Sequence, residues 1–142
     1  MKRLLGCLSM AALAILLAAP VSAQTIKLKA SVPFDFVVGG RTMPAGDYMV
    51  STGGGMSGVV EVSNVDPGIK PAFVTINAAS GPSDGGGAYL EFNRFGSDYF
   101  LAKAWDRSAA TGCSVPMSRA EREKAKSASL GKPEVVMVLA HR

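Results

Sequence analysis

A thiol or hydroxyl nucleophile needs a base to activate it, and this chain has one histidine, His141, which is the penultimate residue. Chain ends fray, so His141 is poorly placed to serve Cys113 or any serine. Gly112-Cys113-Ser114 carries no basic neighbour and no helix start to lower the thiol pKa. Cys113 is therefore expected to be a sheltered structural thiol. Carboxylates offer a second route: Glu91, Asp98 and Asp106 flank one expected hairpin, and a facing pair could hydrolyse a glycoside. Strand parity turns Glu91 away from the core, towards a diagonal surface ion pair with Lys103.

Metal chemistry lacks ligands. Zinc needs three or four His, Cys or carboxylate groups, and the acidic residues match no calcium-loop spacing. Gly53-Gly54-Gly55-Met56-Ser57-Gly58 spells G-x-G-x-x-G, but Val59-Val60-Glu61-Val62 follows as a strand. A pyrophosphate site requires a helix there, so a hairpin loop is expected, as at Gly85-Gly86-Gly87. No catalytic residue, cofactor or metal is assigned. Tyr99 and Trp105 remain as candidates for a partner surface. They share parity with Leu101 and Lys103, and an exposed aromatic row can stack on sugar rings or grip a protein.

The elements that position these residues read as strands. Val32, Phe34, Phe36 and Val38 alternate along one extended segment, and Pro33 confines it to an edge or to pairing after Pro33. Gly39-Gly40 supplies a turn, and Pro44-Ala45-Gly46 punctuates the chain before Asp47 to Val50. Further runs are Gly58 to Ser63, Ala72 to Ala78, Ala88 to Asn93, Asp98 to Trp105 and Glu134 to Ala140, each bounded by turn residues. A three-residue loop, Phe95-Gly96-Ser97, would set Phe92 opposite Phe100, with Ala102 and Ala104 on the same face. One helix is expected, Ser118 to about Ser127, with Ser118 and Glu121 forming a capping box. Arg119, Arg122, Lys124 and Lys126 interleave with Glu121 and Glu123, which describes a solvated face. The pattern predicts an all-β antiparallel sandwich or small barrel of about seven or eight strands, with one short surface helix near the C-terminus.

Residues 1–23 form a signal peptide. Lys2 and Arg3 precede an apolar stretch from Leu4 to Ala19, Pro20 ends it, and Val21-Ser22-Ala23 suits a signal peptidase. The stretch is shorter than the roughly 20 residues of a membrane anchor. Cys7 comes before most of the apolar segment, the wrong order for lipidation. Cleavage after Ala23 leaves residues 24–142 as a single extracytoplasmic domain, periplasmic or secreted, with Cys113 as its one cysteine and no internal disulfide. Its net charge falls from +4 to +2 with Lys2 and Arg3 gone. That balance provides no footprint for nucleic acid or for an anionic membrane surface, and no stable membrane insertion is expected after cleavage.

Three stretches carry a family resemblance: Val32-Pro33-Phe34-Asp35-Phe36-Val37-Val38-Gly39, Met43-Pro44-Ala45-Gly46-Asp47-Tyr48, and Phe92-Asn93-Arg94-Phe95-Gly96 leading to Tyr99-Phe100-Leu101. With Trp105, Gly112 and Ser118–Glu121, the chain resembles a family of small secreted bacterial proteins of uncharacterised function, over about residues 30 to 125. Met43 stands where leucine is usual and Phe95 where tyrosine is common, exchanges that keep the packing. The resemblance implies a signal-bearing β domain and brings no activity or site residue.

The function expected is therefore an exported, non-catalytic β-sandwich domain with a binding, surface or envelope role and a protein or glycan partner. Its alternatives are a small secreted hydrolase using carboxylates or Cys113, and a small outer-membrane β-barrel. Intact-mass analysis of the exported protein should give a chain beginning at Gln24; a mass that retains residues 1–23 would refute the cleavage.

Overall fold

The computed structural model describes residues 26–52, 58–80, 86–106, 111–128 and 132–142. The expected signal peptide, most of the Gly53–Gly58 loop and Gly85 lie outside the described residues. Those described form eleven strands and one helix. β1 (Lys27–Val32), β4 (Gly46–Thr52), β5 (Val59–Asn64) and β6 (Ala72–Thr75) make one antiparallel sheet, in the order β1-β4-β5-β6. The second sheet runs β11-β8-β9-β10-β7, from β7 (Asn77–Ser80), β8 (Ala88–Phe95), β9 (Asp98–Asp106), β10 (Thr111–Ser114) and β11 (Glu134–Ala140). The two sheets curl into a half-barrel around one core. The all-β expectation holds.

Strand number exceeds the expected seven or eight because two runs are each divided between the sheets and two further strands, β3 (Arg41–Met43) and β10, lie outside the expected runs. Val32 to Val38 is not one strand. β1 ends at Val32, Pro33 cannot donate to a ladder, and the chain crosses to the second sheet before β2 (Phe36–Val38) begins. Ala72 to Ala78 likewise breaks at Ile76 into β6 and β7. Parity survives the first crossing: Val32, Phe36 and Val38 are buried and Phe34 is half-buried. β3 and β10 are strands that hydrophobic alternation did not mark.

The crossing segment organises the core. Phe34 stacks on Tyr99 with ring centroids 3.9 Å apart and meets Phe92 edge-on at 5.2 Å. Phe36 contacts Phe92 at 5.3 Å and Tyr48 at 5.0 Å, both in T-shaped geometry. Between them, the Asp35 carboxylate accepts a hydrogen bond from the Ala45 amide at 2.8 Å, and the Tyr48 hydroxyl donates to the Pro44 carbonyl at 2.6 Å. The Val32–Val38 and Met43–Tyr48 stretches thus hold one another.

β2 and β3 form a hairpin around Gly39-Gly40, whose φ values of 58° and 76° suit a two-residue type I′ turn. Its tip reaches the first sheet. Arg41 donates to the carbonyls of Lys70 and Pro71 at 3.2 and 3.0 Å, while Val37 bridges β9 in parallel at Phe100. The hairpin therefore ties the two sheets together.

The β8–β9 hairpin differs from expectation in register. Phe95 pairs with Asp98 across a two-residue turn, Gly96-Ser97, and a bulge next to Phe92 leaves Ala102 without an opposite number. Phe92 consequently faces Leu101, not Phe100. Leu101 points into the core, and Phe100 packs against Phe95 at 6.0 Å on the outer face.

Helix α1 (Arg119–Ser127) lies over that end of the outer face, with Ser118 accepting the Glu121 amide at 3.1 Å as its cap. The capping box is only half formed. The Glu121 side chain is buried and accepts from Asn93 at 2.7 Å, while Lys124 pairs with Asp98 at 2.7 Å.

The Gly39-Gly40 turn supplies a direct test. A Cβ at Gly40 would meet nothing within 4 Å, but one at Gly39 would lie 2.9 Å from the Phe73 carbonyl oxygen. Gly40→Ala should cost about 1–2 kcal/mol from its left-handed φ alone, and Gly39→Ala clearly more. Equal shifts in urea midpoint would remove the Gly39–Phe73 approach from the argument.

Candidate binding surface

The structure disperses the candidate catalytic groups. Asp98 and Asp106 stand at opposite ends of β9, eight residues or roughly 26 Å apart at strand rise, far beyond the separation of a glycosidase pair. Glu91 faces outward, directly across from Lys103 rather than diagonal to it, and their ion pair is 3.0 Å long. Asp106 is buried and bound to Arg142 at 2.7 Å. His141 is exposed on the edge beyond β11, and Cys113 lies on β10 with β8 and β9 between them. Three strand spacings, roughly 14 Å, separate the two. Among the described residues no three His, Cys, Asp or Glu side chains gather where they could hold a metal ion.

Cys113 is sheltered, as its sequence context suggested. It is 1 % exposed and belongs to the core cluster. Burial pushes its pKa above the ordinary 9.0, opposed in part by a hydrogen bond with the Ala104 backbone. A thiol held protonated inside the core is a poor nucleophile.

Tyr99 and Trp105 do not form one row. The Ala102 bulge lies between them and reverses parity, so they occupy opposite faces of the second sheet. Tyr99 is half-buried against the core, sandwiched between Phe34 and the Arg94 guanidinium, 5.5 Å from its ring centre. Leu101, which shares the parity of Tyr99 and Trp105 along the chain, is 2 % exposed. Trp105 points outward and is half-buried.

Trp105 has different neighbours from those expected. Cross-strand register sets Leu139 opposite Tyr89, Tyr89 opposite Trp105, Trp105 opposite Gly112 and Gly112 opposite Ala79. These five residues form a rank across β11, β8, β9, β10 and β7 on the outer face. Glycine at 112 is what lets the indole lie down. A Cβ there would sit 2.0 Å from Trp105 Cε3 and 2.5 Å from Cζ3, so the ring covers the β10 backbone. The adjacent rank carries Met137, Glu91, Lys103 and Ser114. An apolar, aromatic rank thus runs beside a polar one that includes the Glu91–Lys103 pair.

Tyr89, Gly112 and Leu139 escaped the sequence reading because their proximity depends on register. A glycine beside β-branched and aromatic runs marks close backbone approach, and that was the one local signal available.

The buried thiol gives a pH dependence. Its folded pKa is raised, so its contribution to stability is complete below pH 9.0 and is lost as pH rises through the folded value. Urea midpoints should therefore fall more steeply above pH 9.0 in the parent protein than in Cys113→Ala. Tyr48, whose phenol burial also pushes up, contributes to the slope left in that variant. Identical pH slopes in the two proteins would refute the assignment.

No protein-family model, curated protein or solved structure matches the chain, so the surface is read from its own geometry.

Proposed function

We propose that the protein is an exported, non-catalytic binding domain of the cell envelope, and that its ligand is a glycan laid across the outer face of the second sheet. The observation that carries this reading is the Leu139–Tyr89–Trp105–Gly112 rank, in which the indole lies flat on the sheet at a residue without a side chain. Sugar rings present apolar faces that stack on flat aromatic surfaces and polar edges that need hydrogen bonds. Glu91 and Lys103 stand one rank away to supply those bonds.

Two further features support a binding role. Glu91, Asp98 and Asp106 are each engaged by a cation, and Cys113 is held inside the core. The reacting groups of the hydrolase alternative are thus engaged elsewhere or buried. The outer face of β1 carries Lys27, Lys29 and Ser31, where a membrane barrel would present an apolar row to lipid. The signal peptide and the resemblance to small secreted proteins are consistent with an envelope location.

Trp105 is the chain's only tryptophan, so its fluorescence reports on this surface directly. Titration with soluble envelope oligosaccharides should blue-shift or quench the emission. Trp105→Ala should weaken binding by tenfold or more, in line with about 1.5–3 kcal/mol for a stacked aromatic contact. Undiminished affinity in Trp105→Ala would remove this face from the mechanism.

A further inference from the structure

A second feature lies where the two sheets meet. β1 and β11 are joined by one pair of hydrogen bonds, Lys29 N to His141 O at 2.7 Å and His141 N to Lys29 O at 2.8 Å. Backbone groups alternate sides along a strand. Since His141 points its N–H and C=O at β1, those of Leu139, Met137 and Val135 point the same way. No strand among the described residues pairs with them. Among the described residues, β11 is an open edge beyond the single bridge.

Burial gives independent support. The inward-facing Val136 and Val138 remain half-exposed, although their β8 partners Phe92 and Leu90 are fully buried. On the other face Val135, Met137 and Leu139 are 54, 63 and 77 % exposed. Natural edge strands are guarded by charges, prolines or bulges. The run Val135-Val136-Met137-Val138-Leu139-Ala140 has none. Beside it lies a groove of about 840 Å³, with Leu139 on one wall and the exposed Val65 and Asp47 on the other, the Asp47 carboxylate accepting from the Ser31 hydroxyl. Lys29 and Met49 also line a second hollow of about 440 Å³, which Lys27 and Arg142 complete. Lys27 and Lys29 are exposed and make no ion pair among the described residues.

We propose that this seam binds an extended peptide of a partner protein by strand addition to β11, with alternating apolar residues along the edge and an acidic residue at the Lys27–Lys29 end. The open backbone edge calls for a strand, because an acyl chain would leave the N–H and C=O groups of Val135, Met137 and Leu139 without partners. The cationic end selects acidic sequence. A second copy of this chain fits less well. One short strand pair buries less than the roughly 1,200 Å² that stable interfaces need, and the β1–β11 bridge closes the slot at one end.

The test is fluorescence anisotropy on the mature protein with a labelled nine-residue peptide of alternating Val and Thr ending in two Asp. Four comparisons accompany it: the same peptide ending in two Lys, the Asp peptide N-methylated at alternate amides, the Met137→Pro protein and the Lys27→Glu/Lys29→Glu protein. Met137 directs its amide away from β8, so proline there removes an edge donor while sparing the β8 ladder. The Asp peptide should bind, and the Lys peptide at least tenfold more weakly. N-methylation should abolish binding, as should Met137→Pro, and Lys27→Glu/Lys29→Glu should reverse the charge preference. Absence of binding, equal binding of the Asp and Lys peptides, or indifference to N-methylation would overturn the proposal. So would a dimer by light scattering that Met137→Pro converts to monomer. N-methylation alters only the ligand, so it decides the matter even if a protein variant fails to fold.

Discussion

The fold depends on one crossing. Between Val32 and Phe36 the chain leaves one sheet and enters the other, and Phe34 and Phe36 fill the space between them. Pro33 stands at the crossing, immediately after β1 ends at Val32, where its missing amide leaves no ladder donor unpaired. The aromatic contacts make it favourable: Arg94, Tyr99, Phe34, Phe92, Phe36 and Tyr48 form one continuous chain of ring contacts through the core. Losing the Phe36 ring alone would cost about 3–5 kcal/mol, a large part of the 5–15 kcal/mol that typically holds a domain together. Residues 24–142 contain a single cysteine, so no disulfide within them can substitute for that packing.

A second constraint follows from the first. Since Phe34 stacks on Tyr99, the start of β9 must present Tyr99 inward, yet Ala104 at its far end must also face the core. Those residues differ in parity, and a regular strand cannot bury both. The bulge at Ala102 reconciles them by inserting one unpaired residue. Its consequences reach the outer surface. Before the bulge, Phe100 faces outward with Phe95, towards the end of the sheet that α1 covers; beyond it, Lys103 and Trp105 face outward on open sheet. The helix that sequence patterning describes as wholly solvated has a definite seat because Glu121 is buried against Asn93.

The seam between β1 and β11 shows how the curl of the sheets leaves work unfinished. One bridge joins them where Lys29 meets His141, and past it the inward face of β11 is only half covered. The Trp105 face and this seam meet at Leu139, which ends the aromatic rank and also walls the groove. The two proposed binding surfaces, of different chemistry, thus adjoin: one flat and aromatic, the other an open backbone edge with a cationic end.

The sequence by itself determined the class of fold, the Gly39-Gly40 turn, the break at Pro44-Ala45 and the helix cap, because these rest on local rules. Alternation marks strands, paired glycines supply positive φ at residues 39 and 40, and Ser118 caps whatever helix follows it. It also determined that residues 24–142 keep a single cysteine. Tertiary structure alone decided which strands share a sheet, and so whether Val32 and Phe36 belong to one element or two. It alone decided the β9 register. A single unpaired residue flips every side chain beyond it, and nothing local distinguishes Ala102 from its neighbours as the one to bulge. Tyr99 and Trp105 have the same parity along the chain and opposite faces in space for that reason. The binding surface was therefore only partly legible: Trp105 could be named from sequence, but Tyr89, Gly112 and Leu139 become its neighbours only through pairing between distant strands.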